Sequence, residues 1–375
     1  MRFLHTADLH IGKRVNQVNM IEEQQLILRQ IAEIAKTEGC DAVLIAGDVY
    51  DQTSPTAEAM ATLDAFFNQM RRENIPLYLI AGNHDSGKRL SYFSEMAREC
   101  GVTLCGEFSG TMESFCWEDE FGPVRMFCLP YLLPALVRRF YPQAKITSYD
   151  DAVRTVLEHT PMPLMGRNLL LCHQFVTGAQ RCDSEEMSIG GAENISADLF
   201  DAFDYVAMGH IHGPQSVQRP EIRYSGSPLK YSFSEANHRK SVTIVDLLEK
   251  GNVQIRTVPL QARRDLRVVR GGMDELMAEP YSEDYVHAIV TDELVAPDAR
   301  ISLTTVFPNL MKFSVENSKT KVDMEIVATE TMEKKSPMEL FEDFYRLQNN
   351  VEAPGEEHLA RMKEVFRRLE DSVEP

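Results

Sequence analysis

The ten residues Pro76–Asp85, PLYLIAGNHD, join a short apolar run to a polar end. The run Pro76–Ala81 stops at a glycine, which is typical of a short buried strand. Asn83, His84 and Asp85 follow the glycine directly. Functional side chains of α/β folds collect at the carboxyl ends of strands. The stretch therefore predicts one strand of an α/β sheet with candidate site residues at its end.

The same pattern, an apolar run followed by histidine or aspartate, occurs at four other places in the first 212 residues. The runs are Arg2–Ala7, Asp41–Ala46, Leu169–Cys172 and Tyr205–Met208. The residues that follow them are Asp8 and His10, Gly47-Asp48, His173, and Gly209-His210-Ile211-His212. A lone histidine in such a place is more often a hydrogen-bonded core residue, and a lone Gly-Asp is more often a turn. Five such ends in series are poorly explained that way and predict one shared site.

Amphipathic helical patterns separate the first three runs. Glu22–Lys36 and Thr56–Asn74 each carry apolar residues on one helical face. The alternation of strand and helix predicts an α/β fold with helices covering a sheet. Farther along the chain, Ser241–Leu247 and Val253–Val258 alternate around a Gly-Asn turn and predict a hairpin.

The donor types at the strand ends indicate a class of metal. Imidazoles and carboxylates with one amide oxygen and no thiolate suit manganese or iron, whereas a structural zinc site favours cysteines. Asp-x-His and His-x-His place alternate residues on one side of an extended segment, so both can reach the same metal cluster. About eight donors exceed what one ion takes, which favours two ions about 3.5–4 Å apart and bridged by a carboxylate.

Charge, hydropathy and cysteine content limit the class of protein. The 375 residues carry a formal charge of −18, whereas proteins that bind nucleic acid unaided usually have a basic excess. No apolar run approaches the roughly 18–20 residues of a membrane span, and Asp8 comes too early for a signal peptide. The seven cysteines are scattered without a C-x-x-C pair and predict buried free thiols in a reducing compartment. We expect a cytoplasmic protein without a membrane anchor.

Five sequence blocks resemble, in order, the calcineurin-like metallophosphoesterase superfamily. They are Asp8-Leu9-His10, Gly47-Asp48-x-x-Asp51, Gly82-Asn83-His84-Asp85, His173 and Gly209-His210-Ile211-His212. Three longer stretches, His5–Lys13, Phe203–Gln215 and Tyr224–Phe233, are similar within that superfamily to the SbcD family of nuclease subunits. The resemblance is dense over residues 1–260, looser after that, and returns in the tail.

The resemblance implies a four-layered α/β/β/α sandwich with two manganese ions, for which magnesium or iron could substitute. It implies one ion held by Asp8, His10 and His212, a second held by Asn83, His173 and His210, and Asp48 as the bridge. His84 is expected to reach the scissile phosphate, where it would stabilise charge or protonate the leaving oxygen, and not to bind metal. Asp51 is a second candidate catalytic residue that would orient His84, and Asp85 is expected to be structural.

Three domains are expected: a nuclease domain over 1–262, an α+β capping domain over 263–332, and a pair of C-terminal helices over 333–375. Strand-like runs at Leu266–Val269, Tyr285–Val290 and Lys321–Val327 predict the sheet of the capping domain. Ser336-Pro337-Met338-Glu339 is a capping box that opens the first tail helix. The spacing alone favours tail helices that pack on their own domain.

The resemblance implies a different role for the tail, which binds the coiled coil of the SMC-like ATPase SbcC in that family. The Phe341/Phe344 face and the Leu359–Leu369 seam are the candidate contacts. It also implies a homodimer, for which Glu22–Lys36 or Thr56–Asn74 could supply the face. The capping domain is expected to help admit DNA to the site.

The implied activity is a manganese-dependent DNA nuclease of end processing and repair. It would be a 3′→5′ exonuclease on double-stranded ends and an endonuclease on hairpins and single strands, with SbcC and ATP needed for processive work on duplexes. A metallophosphoesterase for small phosphodiesters or phosphoproteins is the alternative with the same chemistry. A catalytically idle scaffold for the ATPase is the alternative without it.

Basic residues near the motifs have two interpretations. Lys13-Arg14 and Lys88-Arg89 are equally consistent with contacts to the DNA backbone and with an ordinary solvated surface. Lys230 and Tyr231 could border the site, although a structural place is favoured for them.

Overall fold

The computed structural model describes residues 1–163, 166–185 and 193–318, together with 338, 341, 342, 345, 354, 355, 358–363 and 365 of the tail. The chain divides into two compact units, Met1–Val268 with Glu283–Val286 and Val269–Ser282 with His287–Pro375. The expected domain limits at 262 and 332 remain predictions. Lys321–Val327, most of the capping box at 336–339, and Phe344 and Leu369 of the tail lie outside the described residues.

The described strands and helices are numbered in chain order. The strands are β1 (Arg2–Thr6), β2 (Arg14–Val15), β3 (Val18–Asn19), β4 (Ala42–Ala46), β5 (Leu77–Ile80), β6 (Val102–Cys105), β7 (Glu113–Asp119), β8 (Gly122–Leu129), β9 (Arg167–His173), β10 (Phe175–Val176), β11 (Asn194–Ile195), β12 (Tyr205–Gly209), β13 (Gln215–Val217), β14 (Arg219–Tyr224), β15 (Ser241–Leu247), β16 (Val253–Pro259), β17 (Leu266–Gly271), β18 (Tyr285–Val290) and β19 (Leu310–Val315). The α-helices are α1 (Ile21–Thr37), α2 (Ala57–Arg72), α3 (Gly87–Leu90), α4 (Ser94–Glu99), α5 (Pro134–Phe140), α6 (Tyr149–Glu158), α7 (Met273–Met277) and α8 (Ala299–Leu303).

Two six-stranded sheets form the centre of the first unit. The first sheet has the order β16-β15-β1-β4-β5-β6, and the second has the order β13-β14-β12-β9-β8-β7. The pairs β1–β4, β4–β5, β8–β9 and β9–β12 are parallel, so these strands end at a common edge of their sheet. Buried side chains of both sheets form one cluster, which contains Phe3, Leu44, Ala46, Met126, Leu171 and Ala207. The two sheets therefore pack face to face.

Helices cover the outer faces of this sandwich. In the first sheet, Leu4, Val43 and Ile45 alternate with the inward residues and are also fully buried. Helices α1 and α2 connect the parallel strands of this sheet and bury apolar stripes. On the second sheet, residues of α5 and α6 share one core with Phe127, Leu170 and Val206. The predicted four-layered α/β/β/α architecture is confirmed.

Periodicity located helices α1 and α2 to within a few residues. Glu22–Lys36 lies within α1, and Thr56 caps α2 by accepting a hydrogen bond from the amide of Ala59 at 3.2 Å. The predicted hairpin is the antiparallel pair β15–β16. The pair β7–β8 was not predicted, because β7 is an edge strand with mostly solvent-exposed or half-buried side chains and no continuous apolar run.

The second unit contains α7, α8, β19 and the later parts of β17 and β18, which make a small α+β arrangement. Strands β17, β18 and β19 form a three-stranded sheet in that order, and α7 and α8 accompany it. Its buried apolar side chains include Leu276, Val290, Leu303 and Phe307. The strands predicted at 266–269 and 285–290 are present. None of the helices in the described part of the chain is long and apolar enough to cross a membrane.

The cysteines only partly follow the sequence prediction. All seven are free thiols, and Cys40, Cys105, Cys128 and Cys172 are buried as expected. Cys100 and Cys116 are exposed. The prediction that the cysteines are buried is therefore wrong for Cys100 and Cys116. Cys100 directly follows α4, which buries none of its own residues, and Cys116 lies in the edge strand β7.

Arg167 joins the two sheets at the start of β9. Its side chain is only 1% exposed. The guanidinium forms an ion pair with Asp119 of β7 and donates to the carbonyl oxygens of Leu247 and Leu248 at 2.8 Å each. The amino group of Met1 binds the same Asp119 carboxylate at 2.5 Å. One buried cation thus satisfies backbone acceptors of the first sheet and a carboxylate of the second.

We expect Arg167→Met to lower the free energy of unfolding by about 3–5 kcal/mol, because it leaves buried acceptors unpaired. The matched control is Arg256→Met, which removes a cation that is 43% exposed and paired with Glu38 at the surface. That change should cost about 1 kcal/mol or less. Urea unfolding of the full chain measures both values. Equal costs for the two variants would contradict the structural role of Arg167.

Candidate metal centre

The five strand ends predicted to share a site lie together between the two sheets. Ligand atoms from these strand ends form three overlapping groups, and the atoms within each group lie within 4.8 Å of one another. The groups are Asp8, His10 and His212; Asp8, Asp48 and His173; and His10, Asp48 and His84. Asn83 and His210 adjoin them through the hydrogen bonds described below. The structure therefore brings together every residue that the sequence predicted as a metal ligand.

The first predicted ligand set joins β1 to β12. Nε2 of His10 lies 3.1 Å from Nε2 of His212. Oδ1 of Asp8 accepts the backbone amide of His210 at 2.9 Å. Oδ2 of Asp8 is buried and has no hydrogen-bond partner among the described residues. Two ring nitrogens and a free carboxylate oxygen thus face a common space.

The second predicted set joins β5 to β9 and β12. Oδ1 of Asn83 lies 3.0 Å from Nε2 of His173 and 3.0 Å from Nδ1 of His210. Nδ1 of His173 lies 2.7 Å from the carbonyl oxygen of Ala46, which can only accept, so this nitrogen carries the proton. Nε2 of His173 therefore presents its lone pair to the site whenever the ring is neutral.

Asp48 lies between the two sets. Its Oδ2 is 3.6 Å from Nε2 of His10 and 3.4 Å from Nε2 of His173. Its Oδ1 accepts the backbone amide of His84 at 2.9 Å. One carboxylate therefore touches a histidine of each predicted set, which is the position that a bridging ligand requires.

The ionisation states fit divalent cations. Burial lowers the pKa of His10 to about 4 and that of His210 to about 3, so both rings are neutral and can act as ligands. Burial raises the pKa of Asp8 to about 7. Burial opposes ionisation of Asp48, but the charge and hydrogen bond of His173, whose own pKa is raised to about 9, hold the pKa of Asp48 well below its ordinary value. A buried cluster of carboxylates and facing lone pairs is costly unless a cation neutralises it.

The backbone is strained where it presents these side chains. Asp8, His10, Asp48 and His210 all have positive φ angles, of 53°, 44°, 49° and 98°. Non-glycine residues rarely adopt this region, and such strain clusters at functional sites. Gly209 permits the close approach of the two sheets here, because a Cβ at this position would lie 1.9 Å from the carbonyl oxygen of Ala46.

His84 is half-buried beside the cluster. Its Nδ1 lies 3.0 Å from the carbonyl oxygen of Asp51 and must donate to it. Nε2 of His84 is therefore the nitrogen left for the site. The ring centroid lies 4.7 Å from that of His10. His84 thus lies near enough to touch a substrate held by the cluster, and its role as a non-ligand remains a prediction.

Asp51 and Asp85 have distinct places. The carboxylate of Asp51 contacts Nζ of Lys13 at 2.7 Å and Nδ1 of His10 at 3.4 Å, whereas only its backbone carbonyl contacts His84. Burial opposes ionisation of Asp51, but its close contacts with His10 and Lys13 lower its pKa to about 2. Asp85 accepts three backbone amides, from Val49, Tyr50 and Gly82, which is a structural arrangement.

The basic residues near the sequence motifs differ in their surroundings. Lys13 is paired with Asp51, and Lys230 is paired with Asp265 at 2.8 Å. Tyr231 is buried, and its hydroxyl donates to the carbonyl oxygen of Leu9 at 2.5 Å. Arg14, Lys88 and Arg89 are all exposed at the surface. Lys13 and Lys230 are therefore neutralised within the fold.

Sequence reasoning missed several residues around the cluster. Ser184 and Glu235 contact the ring of His212, and Glu185 accepts the backbone amide of His212 at 2.7 Å. The guanidinium of Arg181 lies 3.5 Å from the ring centroid of Phe175. None of these residues follows a strand in the pattern of the five motifs, so the sequence offered no signal for them.

Comparison with known proteins defines the class. Residues 1–214 match the family described as calcineurin-like phosphoesterase, which is more than half of the chain. The chain belongs to the calcineurin-like phosphoesterases, a fold that implies a two-metal site, and the strand-end cluster supplies candidate ligands for it. It is accordingly a hydrolase of phosphate esters. Residues 262–349 match a second family, described as type 5 capsule protein repressor C-terminal domain.

A particular relative is similar along most of its length. The SbcD subunit of the nuclease SbcCD from Staphylococcus epidermidis is 31% identical over 322 residues, which cover 84% of this chain and 85% of the relative. The match extends the resemblance well beyond the metal motifs.

Two solved structures show weaker likeness. The crystal structure of the protein TT1561 of Thermus thermophilus has a TM-score of 0.39 and 12% identity, and the match covers 68% of this chain and 98% of that one. A dimetal phosphatase from Danio rerio has a TM-score of 0.42 and 10% identity, and the match covers 71% and 97% of the two chains.

Proposed function

We propose that this chain is a manganese-dependent DNA nuclease that works with an SbcC-type ATPase in the processing of DNA ends. The observation that carries the proposal is the convergence of all seven predicted ligands in a chain that is 31% identical to a nuclease subunit. Magnesium or iron could replace manganese, because the oxygen and imidazole donors suit all three. Asp8, His10 and His212 would hold one ion, Asn83, His173 and His210 the other, and Asp48 both.

When bound, the metal pair lowers the pKa of a water molecule and neutralises phosphodiester oxygens, which makes hydrolysis possible near neutral pH. The residues of the chain supply the rest. Nε2 of His84 is available to touch the scissile phosphate or the leaving oxygen, because its Nδ1 is held by the carbonyl of Asp51. A histidine in that role typically adds about 10²–10⁴-fold to the rate.

Arg181 supports an anionic substrate. Its Nε and Nη2 atoms are buried and have no hydrogen-bond partner among the described residues. It packs on Phe175, whose ring centroid lies 6.3 Å from that of His210. Lys13, Lys230 and Lys240 are each paired with a carboxylate, whereas Arg181 has no ion pair in the described part of the chain. A guanidinium that is buried beside the cluster without these partners is well placed to bind a phosphate oxygen.

The partners of the proposed nuclease are SbcC, DNA ends and hairpins, and a second copy of the chain. The acidic charge of −18 supports DNA binding that is shared with a partner. Of the two helices considered for the dimer face, α1 has no exposed large apolar side chain, whereas Met60 of α2 is exposed. Tyr92, Phe93 and Met96 add exposed apolar surface. The contact of the tail with SbcC and a place in the cytoplasm rest on the sequence alone.

The test is cleavage by the purified chain with Mn²⁺, of a linear duplex, of a hairpin, and of bis(p-nitrophenyl) phosphate. The proposal expects end degradation and hairpin opening, with SbcC and ATP increasing processive work on the duplex. Turnover of the small ester alone, with DNA intact even in the presence of SbcC and ATP, would favour the small-phosphodiester alternative. Absence of both activities with Mn²⁺ bound would favour the scaffold.

Replacement of Arg181 by methionine should weaken DNA binding and leave the metals in place. Loss of one charged hydrogen bond to phosphate predicts a rise in KM for DNA of about tenfold. The slope of log K against log salt should fall in magnitude by about 0.9 for one phosphate contact. Fluorescence anisotropy of a labelled duplex measures this slope, with Arg256→Met as the control. An unchanged slope and KM would remove Arg181 from the binding site.

A further inference from the structure

A short chain of polar side chains leads away from the ring of His212. Oγ of Ser184 lies 2.8 Å from Nδ1 of His212 and 2.5 Å from Oε1 of Glu235. Glu235 is itself 3.4 Å from the same ring nitrogen. Ser184 therefore stands between a histidine of the metal centre and a carboxylate that is 0% exposed.

The donors and acceptors in this chain allow one arrangement of protons. An ionised carboxylate only accepts, so the single hydroxyl proton of Ser184 points to Glu235. The hydroxyl oxygen must then accept from Nδ1 of His212. The proton of the neutral ring is therefore on Nδ1, and Nε2 presents its lone pair towards Nε2 of His10, 3.1 Å away.

Glu235 is held ionised and fixed in place. Lys240 forms a buried ion pair with Glu235 and also donates to the carbonyl oxygen of His212 at 2.9 Å. The backbone amide of Tyr231 donates to Oε1 of Glu235 at 3.1 Å.

A buried ion pair such as Glu235 and Lys240 has a large free-energy cost if it serves only to stabilise the fold. A buried ion pair loses hydration that its mutual attraction often fails to restore, and apolar residues of the same size are frequently as stable. The pair of Glu235 and Lys240 converges on one residue, His212, from its ring and from its carbonyl. The backbone amide of His212 is fixed separately by Glu185. The polar groups thus fix one side chain in orientation and tautomer.

We propose that Ser184 and Glu235 are positioning residues for His212, fixing its Nδ1–H tautomer and the direction of its Nε2 lone pair towards a bound metal ion. The inference rests on the proposed metal centre and adds residues outside the predicted ligands. The backbone carbonyl of Ala46 does the same for His173 without any side chain. Loss of such a partner typically lowers metal affinity about 10–100-fold.

The test compares wild type with Ser184→Ala, and uses Ser234→Ala as the matched control. Ser234 lies near the same segment and accepts the amide of Asp183 at 3.0 Å, and none of the contacts described for His212 involves it. The first readout is the ¹⁵N spectrum of the metal-free, histidine-labelled protein, in which a His212→Gln spectrum identifies the ring. The second readout is calorimetric titration with Mn²⁺ alone.

We expect wild type and Ser234→Ala to show the Nδ1–H form of His212 and equal Mn²⁺ affinity. Ser184→Ala should partly populate the other tautomer, because Glu235 at 3.4 Å remains as a weaker acceptor for Nδ1, and it should bind one Mn²⁺ about 10–100-fold more weakly. A second variant, Glu235→Gln combined with Lys240→Met, avoids a lone buried lysine and should show the same two changes.

An unchanged tautomer or an unchanged affinity in Ser184→Ala would overturn the positioning role. The tautomer is measured in the metal-free protein, so it tests the role of Ser184 even if wild type binds no Mn²⁺. In that case it is the proposed two-metal function that fails. Normal metal binding by wild type with no DNA cleavage would likewise count against the nuclease and leave the role of Ser184 standing.

Discussion

Asp48→Asn should lower DNA cleavage by about 10³-fold or more and reduce the Mn²⁺ bound per chain from two ions to one or none. Oδ2 of Asp48 lies 3.6 Å from His10 and 3.4 Å from His173, so one atom serves both predicted ligand sets. Asparagine has nearly the same size and can still accept the amide of His84. It lacks the charge and the second acceptor oxygen, and its NH₂ group would face the histidine nitrogens.

Mass spectrometry of the bound metal and cleavage of a labelled duplex measure the two effects of Asp48→Asn. Asp64→Asn is the control, because Asp64 lies on the exposed side of α2 and contacts Asn68 of the same helix. This control should bind two ions and cleave normally. Two ions per chain and near-normal cleavage in Asp48→Asn would show that the carboxylate is not the bridge.

The second large effect is expected at His84. His84→Ala should reduce kcat by about 10²–10⁴-fold, the range of acid–base help from a histidine, with Mn²⁺ affinity unchanged. The ring is held by the carbonyl of Asp51, which leaves Nε2 for substrate, and the ring is only half-buried. The backbone amide of residue 84 would still bind Asp48 in the variant.

The same Mn²⁺ titration and a pH–rate profile decide the role of His84. His159→Ala is the matched control, since the Nδ1 of His159 binds the carbonyl of Thr155 at the end of α6. Loss of one bound ion in His84→Ala would make His84 a ligand, which its contact with the His10 and Asp48 group permits geometrically. Normal kcat in the variant would exclude a catalytic role.

The sequence was sufficient for the elements that position the site. Buried parallel strands appear in a sequence as short apolar runs. The carboxyl ends of such strands meet at one edge of the sheet, so the motifs that follow them converge. Helices α1 and α2 followed from apolar periodicity. The edge strand β7 has no such pattern, because one side of it faces solvent.

The partners of the ligands could not be predicted from the sequence. Glu235 contacts His212, which lies 23 residues earlier in the chain. Arg181 becomes a candidate contact for phosphate only because it packs on Phe175, which lies beside His210. These contacts depend on how loops fold against the strand ends, which local spacing does not encode. The positive φ angles at Asp8, His10 and Asp48 are likewise a feature that local spacing does not predict. The roles given to the tail remain predictions of the sequence.

The most direct test of the two-metal centre is an anomalous difference map from crystals of the full chain soaked in Mn²⁺. Two peaks per chain are expected, both in the strand-end cluster. One should contact Asp8, His10 and His212, the other Asn83, His173 and His210, and Asp48 should contact both. A single peak, or peaks outside this cluster such as beside Cys182 and Glu235, would contradict it.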